Sequence, residues 1–116
     1  MELSAAAILG AEDLQRELVS VPEWNGDVWV STMTGTARDE FEQEVQGFLG
    51  DELPIPNARA RLLVRCLTNA AGAPLFALAE MEALGKKNGA VLDRLFDVAM
   101  RLSGLDKKTA EALKKN

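Results

Sequence analysis

The sequence predicts one small α+β domain, mainly α, in which an N-terminal β-hairpin is followed by about four helices. Two patterns carry this prediction. β-Branched residues alternate with other residues on both sides of the pair Asn25-Gly26, which is typical of a hairpin turn. After Gly35 the apolar spacing changes from about two residues to about 3.6, the period of a helix. A chain of 116 residues has room for one hydrophobic core and not for two. The expected parts of this single domain, 1–116, are a flexible arm or short helix over 1–14, the hairpin over 15–34 and the helical part over 35–116.

The composition excludes several classes of protein. With 47% hydrophobic and 27% charged residues, the chain resembles a globular domain rather than a disordered protein. No apolar run reaches the roughly 18 residues that a membrane span needs, so we expect no membrane partner. The start lacks a basic segment and soon turns acidic, and Cys66 has no second cysteine with which to form a disulfide. These features predict a protein of the cytoplasm.

The residue types that most enzymes depend on are missing. The chain has 0 histidines and 1 cysteine, which excludes Ser-His-Asp and Cys-His catalytic sites and all structural zinc motifs. The segment Gly85-Lys86-Lys87-Asn88-Gly89 resembles a phosphate loop but lacks the upstream glycine and the Ser or Thr after the lysine. We therefore expect no enzymatic activity, no metal and no cofactor. A hydrolase built on carboxylates alone is the enzymatic alternative.

The charges divide along the chain. Residues 1–53 carry 12 acidic and 2 basic side chains, whereas residues 54–116 carry 6 acidic and 11 basic ones. Either the two halves face each other or form solvated surfaces of opposite sign, or the acidic half recruits a basic partner. A small nucleic-acid-binding regulator could use the basic half, although the overall acidity makes nucleic acid an unlikely partner. The residues it would use are Arg59, Arg61, Arg65, Lys86 and Lys87.

The hairpin contains both tryptophans. With Asn25 and Gly26 as the two central turn residues, Val21 lies opposite Val30 and Pro22 lies opposite Trp29. This register predicts one face with the four valines 19, 21, 28 and 30, and a second face with Pro22, Trp24 and Trp29. The second face is either covered by a helix of the same chain or exposed as an aromatic contact surface. Trp24 and Trp29, with Pro22 shaping the hairpin, are our candidate partner contacts.

The rest of the chain follows a helical pattern. The first helix is predicted over 37–49, with Thr36 as its N-cap and with Glu40, Glu42 and Glu44 on its outer face. These three carboxylates are the candidate acidic recruiting face. An extended linker follows over 51–56 because prolines disfavour helix in the preceding residue. The later predicted elements are a helix from Asn57 to about Leu67, with a strand as the alternative over 57–68, a helix from Pro74 to Leu84, an amphipathic helix with its apolar stripe between Val91 and Leu102, and a last short helix capped by Asp106.

The order of several short motifs resembles the tail assembly chaperones of long-tailed, siphovirus-like bacteriophages and prophages. The resemblance covers roughly residues 15–116, and it departs from the family pattern at the turn before Gly72 and at 77–79. The motifs that carry it are Val21-Pro22-Glu23-Trp24-Asn25-Gly26-Asp27-Val28-Trp29-Val30, Met33-Thr34-Gly35-Thr36-Ala37-Arg38-Asp39, Asn57-Ala58-Arg59-Ala60-Arg61-Leu62-Leu63, Gly72-Ala73-Pro74-Leu75-Phe76, Leu84-Gly85-Lys86-Lys87, Leu92-Asp93-Arg94-Leu95-Phe96 and Leu102-Ser103-Gly104-Leu105.

The resemblance implies a non-enzymatic protein of the bacterial host cytoplasm that helps to build the tail and is not retained in the virion. Its implied partners are the tape-measure protein, the major tail tube protein, a frameshift-extended form of itself and further copies in a homo-oligomer. The ending Lys114-Lys115-Asn116 is compatible with a slippery A AAA AAC heptamer for a −1 ribosomal frameshift. A generic protein-interaction domain and a nucleic-acid-binding domain are the alternatives.

Overall fold

A small antiparallel sheet and a set of helices form the protein, and the computed structural model describes residues 1–50 and 54–114. The strands lie in the order β1-β2-β3, and α5 lies against β1 and β2 while also packing on α3. The predicted mainly helical α+β class is confirmed. In chain order the elements are α1 (Ala5–Gly10), β1 (Arg16–Val21), β2 (Gly26–Ser31), α2 (Gly35–Gln46), α3 (Ala58–Cys66), β3 (Leu67–Thr68), α4 (Met81–Gly85), α5 (Gly89–Ser103) and α6 (Lys107–Lys114).

The hairpin is confirmed, but its predicted register is wrong. The turn is a 3-10 turn over Pro22–Trp24 followed by Asn25 in the left-handed conformation, with φ of 57°. Val21 therefore lies opposite Gly26, and Trp29 lies opposite Leu18. Proline explains the difference, because its ring fixes the φ angle needed at the start of such a turn and it has no N–H to donate within a ladder.

The inner face of the hairpin carries the same four valines in the observed register as in the predicted one. The shift is by an even number of residues, so the four valines predicted to share a face still do so, because side chains alternate along a strand. Val21 and Val30 are fully buried in the core. Trp24, in contrast, leaves the strand for the turn and no longer shares a face with Trp29.

The helix α2 begins and ends slightly earlier than predicted. Thr34, rather than Thr36, provides the N-cap, since its Oγ1 accepts a hydrogen bond from the backbone N–H of Ala37. The helix buries Phe41 and Val45, which lie four residues apart and so on one face. Within the described residues, Pro54, Ile55 and Pro56 belong to no helix or strand, while the rest of the predicted linker, 51–53, lies outside them.

The segment 57–68 forms a helix for most of its length, as first predicted, and a strand only at its end. Seven of the nine residues of α3 are buried, which makes it the central helix of the core. Leu67 and Thr68 then leave the helix as β3 and pair with β2. The alternative of a strand thus holds only for the two residues after Cys66.

The predicted helix start at Pro74 is wrong. The side-chain Oδ1 of Asn69 accepts hydrogen bonds from the N–H groups of Ala71 and Ala73, and this turn folds the chain back. Leu75 N–H then donates to the carbonyl of Leu67, and Pro74 forms a β-bridge with Thr68. The chain becomes helical only in a 3-10 turn over Leu78–Glu80 that leads into α4.

The C-terminal helices match their predictions. Asn88 caps α5, and five of the residues that α5 buries belong to its predicted apolar stripe: Val91, Leu92, Leu95, Phe96 and Ala99. Asp106 Oδ1 accepts the N–H of Thr109 at 2.7 Å and so caps α6. The predicted frameshift signal includes Lys115 and Asn116, which lie outside the described residues. No helix in the described ranges is long and apolar enough to span a membrane.

Candidate partner-binding surface

One side of the sheet points away from the core and carries Arg16, Leu18 and Trp29, which we call the outer face. Leu18 and Trp29 lie directly opposite each other in the hairpin. The guanidinium of Arg16 lies 4.4 Å from the centroid of the Trp29 ring, a cation-π contact. Leu18 is 49% exposed, and Trp29 is partly buried. The outer face therefore offers an apolar pair with a positive charge at its border.

A turn closes one end of the outer face. The Nη1 of Arg16 donates a hydrogen bond to the carbonyl of Ala70, which ties β1 to the turn after β3. Beneath this contact the hydroxyls of Ser31 and Thr68 lie 2.7 Å apart and share a buried hydrogen bond. These contacts position Arg16 above Trp29, since its guanidinium has partners on both sides.

A cavity of about 600 Å³ lies beside this turn. It is lined by the arm at 11–14, by 31–34 at the end of β2 and by the turn around Gly72. The hydroxyl of Thr32 is buried there without a hydrogen-bond partner among the described residues. The cavity has room for several side chains, but its lining shows no preference for one kind of ligand.

The two tryptophans have different environments. Trp24 is partly buried and packs against the hydrophobic core from the turn, while Pro22 occupies the first position of that turn and is exposed. The two rings thus do not form the single aromatic surface that the predicted register required. Pro22 does shape the hairpin, and Trp29 alone of the two tryptophans belongs to the outer face.

The three glutamates of the predicted acidic face are also separated by their contacts. Glu40 is exposed and forms no ion pair within the described part of the chain. Glu42 accepts a hydrogen bond from Arg38 at 3.0 Å, and Arg38 also donates to the carbonyls of Ser103 and Gly104. Of these two glutamates, then, one faces solvent and one helps to fix α2 to the end of α5.

Glu44 connects α2 to α3. Its Oε2 lies 3.1 Å from Arg61 and 3.5 Å from Arg65, whose side chains are only 10% and 7% exposed. The Arg61 guanidinium also donates to the carbonyl of Pro56 and lies over the ring of Phe48. Two nearly buried cations thus depend on one carboxylate, which gives Glu44 a structural role.

Acidic side chains of the first half form ion pairs with arginines of the second half. Besides Glu44 with its arginines, Glu23 binds Arg94 at 2.7 Å and Glu17 binds Arg101 at 3.0 Å. Each of these pairs joins an acid of the first half to an arginine of the second. The first sequence-based interpretation of the charge division, that the two halves face each other, accounts for these contacts. Of the cations considered for nucleic acid, Arg59 is paired with Asp93, and Arg61 and Arg65 are paired with Glu44.

The titratable groups with shifted pKa values have structural explanations. The hydrogen bond from Arg94 lowers the pKa of Glu23 and raises that of Arg94. The backbone N–H of Thr109 lowers the pKa of Asp106, and burial raises the pKa of Cys66 to about 11. The described residues contain no cluster of carboxylates or Cys66 suited to hold a metal ion. None of the shifted groups forms part of a recognisable catalytic arrangement.

The arm before β1 adds apolar surface. None of the residues of α1 is buried, although Ser4 caps the helix through its side chain. Leu3, Ile8, Leu9 and Leu14 are each more than half exposed. Such a short helix gains little stability by itself in water, so this segment has apolar side chains available for contact.

Sequence reasoning missed Arg16 and Leu18 as surface residues. The signal that could have found them is Pro22 itself, since a turn that starts at Pro22 and ends at the left-handed Asn25 sets Leu18 opposite Trp29. The predicted two-residue turn left both residues without an assigned partner.

Comparison with known proteins gives one family and one fold. The family model described as "Phage tail assembly chaperone" matches residues 2–116. Among solved structures, the chain is similar to the tail assembly chaperone of bacteriophage HK97, with a TM-score of 0.59 and 23% sequence identity, over 86% of this chain and 93% of that one. A search of curated proteins finds no match.

Proposed function

This chain belongs to the phage tail assembly chaperone family, and on this premise we propose that it binds the tape-measure protein and recruits tail tube subunits to it. It would act in the cytoplasm of the bacterial host, without catalysis, and would leave the tail before the virion is complete. The observation that carries the proposal is the family match along nearly the whole chain. The exposed Leu18 and the partly buried Trp29 together supply an apolar surface of the kind that this task requires.

The chemistry of the outer face suits transient binding. A chaperone of this kind must cover apolar surface on its client and release it when tube subunits polymerise. Leu18 and Trp29 offer a small apolar contact, and aromatic residues dominate the binding energy of many interfaces. A small contact area favours an interaction that can be reversed.

Co-expression with the tape-measure protein of the same phage or prophage genome tests the proposal. We expect the tape-measure protein to stay soluble and to co-purify with this chain, with the frameshift-extended form supplied alongside. The control is expression of the tape-measure protein without this chain, which should leave the tape-measure protein insoluble. A tape-measure protein that stays insoluble with both forms of the chain present would contradict the proposal.

The proposed extension by a −1 frameshift has its own test. Reading the gene over residues 114–116 should reveal a slippery heptamer such as A AAA AAC. Tagging both reading frames would then detect a minor longer product. Codons without a slippery sequence, together with a single product, would contradict this part of the proposal.

A further inference from the structure

Within the described residues the strand β1 has one edge without a partner strand, and we propose that this edge binds an extended, basic segment of another protein by adding it to the sheet as a fourth strand. This inference rests on the proposed function and adds to it the way in which a segment of the partner is bound. β1 is the first strand in the order β1-β2-β3, so only its other side is paired. Its residues Arg16–Val21 are all in extended conformation.

The hydrogen-bond pattern identifies the backbone groups that point outward. Thr32 N–H donates to the carbonyl of Gln15, the residue opposite it in the ladder. Antiparallel pairs alternate between bonded and non-bonded, so Glu17, Val19 and Val21 direct their backbone groups to β2. The backbone N–H and C=O groups of Arg16, Leu18 and Ser20 therefore point away from the sheet, and all three residues are exposed.

This edge has few of the features that usually prevent strand addition. Natural edge strands are protected by charged side chains, above all lysine, by proline, by bulges or by a covering element. Of these, β1 has the charges of Arg16 and Glu17 at one end. β1 contains no proline, glycine or lysine and pairs with β2 without a bulge over all six of its residues. An added strand would also lie beside Leu18, whose side chain is half exposed on the outer face. The edge and the outer face thus form one continuous surface, as in known cases of peptide binding by strand addition.

The charges near the edge of β1 favour a basic partner over a second copy of the chain. On β1 itself, Arg16 is held by the Ala70 carbonyl and the Trp29 ring, and Glu17 is paired with Arg101. Glu12 and Asp13 lie a few residues before β1, and Asp27 lies opposite Ser20; these three residues form no ion pair within the described ranges. Two copies joined through β1 would bring these like charges together, whereas a segment rich in lysine or arginine is attracted to them.

Hydrogen exchange of the backbone amides provides the direct test. The probe is a synthetic peptide that alternates valine and lysine, and the control peptide has glutamate in place of lysine. We expect the lysine peptide to slow exchange of the amides of Arg16, Leu18 and Ser20 by about tenfold or more, because they gain hydrogen bonds. The amides of Val19 and Val21, already bonded to β2, should change little.

Two exchange results would overturn the inference. One is a lysine peptide that binds, as measured by fluorescence anisotropy, without slowing exchange at these three amides. The other is slow exchange at the same amides without any peptide, rising with protein concentration, which would assign the edge to a second copy. Equal protection by the glutamate peptide would contradict the basic character of the partner.

The variant Ser20→Pro tests the edge in the full chain. Proline at this position removes an outward N–H and leaves the ladder to β2 intact, as edge strands tolerate, while Ser20→Ala is the matched control. We expect Ser20→Pro to lower affinity for the lysine peptide at least about tenfold, on the scale of a lost interface hot spot. If Ser20→Pro does not fold, Asp27→Lys replaces it, with Asp39→Lys as its control.

The same variants separate this inference from the proposed function. If the tape-measure protein co-purifies equally with wild type, Ser20→Pro and Ser20→Ala, strand addition is overturned as its binding mode while the chaperone function stands. If the tape-measure protein never co-purifies but the lysine peptide protects the three amides, the edge is confirmed and the chaperone function fails.

Discussion

Trp29 lies directly opposite Leu18 on the side of the sheet that faces away from the core, with the guanidinium of Arg16 above its ring. This arrangement makes Trp29 the tryptophan best placed to meet a partner. Trp24 instead packs against the core from the hairpin turn. The two residues therefore form a matched pair for experiments, since the same substitution should have different effects at each.

Replacing Trp29 with alanine should weaken partner binding and leave the helices intact. We expect a loss of about tenfold or more in affinity for the tape-measure protein, the scale of an interface hot spot. Quantitative pull-down measures the affinity, and circular dichroism at 222 nm checks the fold. Loss of helical signal at 25 °C would mean that Trp29 supports the core and would contradict this prediction.

Replacing Trp24 with alanine should act on stability instead. Removing a partly buried ring that packs against the core is expected to cost about 2 kcal/mol, less than full burial would imply. Denaturant unfolding followed by circular dichroism measures this cost. A stability within error of the wild type, combined with lost partner binding, would reverse the roles assigned to the two rings.

The variant Glu44→Gln should destabilise the protein by about 2 kcal/mol, because it leaves the cations of Arg61 and Arg65 without their carboxylate. Glu40→Gln on the same helix is the matched control, with an expected change within about 0.5 kcal/mol. Thermal and urea unfolding measure both. Equal effects of the two substitutions would show that the ion pairs around Glu44 contribute nothing specific.

The cap of α6 should depend on pH. The pKa of Asp106 in the folded state lies below its ordinary value of 3.8, because the carboxylate accepts the N–H of Thr109. Its contribution is therefore fully present above pH 3.8 and is lost as the pH falls through the lower folded-state pKa. Asp106→Asn keeps a capping oxygen without titrating. Amide shifts of Thr109, measured by NMR from pH 6 to pH 2, should titrate in the wild type and not in this variant.

Gly85 and Asn57 should show energetic coupling. A Cβ at Gly85 would lie 2.5 Å from the Oδ1 of Asn57, which has a positive φ of 52°. Gly85→Ala should cost about 1 kcal/mol in the wild type, since the Asn57 side chain must move to make room for the added methyl group. In the Asn57→Gly background the same change should be neutral or stabilising, because alanine favours helix. Additive effects in this double-mutant cycle would rule out the contact.

Most of the fold follows from local patterns in the sequence. The stripe from Val91 to Leu102 and the cap at Asp106 each depend on neighbours within a few positions, so periodicity and capping chemistry predict them. The face shared by Val19, Val21, Val28 and Val30 was also predictable, since any even shift of register preserves it. Such features need no knowledge of the distant chain.

The errors arise where distant parts of the chain meet. The helix expected from Pro74 is prevented because Leu75 pairs with Leu67 after a turn built by Asn69. Glu44 was placed on a solvated face because its partners Arg61 and Arg65 lie on another helix and could not be located from the sequence. In the hairpin, the residue opposite Trp29 depends on whether the turn is centred on Asn25-Gly26 or starts at Pro22. The turn starts at Pro22, so that residue is Leu18.

The ion pairs between the two halves also bear on how the protein folds as it is synthesised. The N-terminal half leaves the ribosome first, carrying the carboxylates of Glu17, Glu23 and Glu44 well before the arginines that neutralise them. Until α3 and α5 emerge, the hairpin has neither its counter-ions nor the helices that cover its valines. The sheet can therefore pack against the helices only after most of the chain has been translated. Until then the hairpin exposes its valines, and the protein is at its most prone to associate wrongly with other chains.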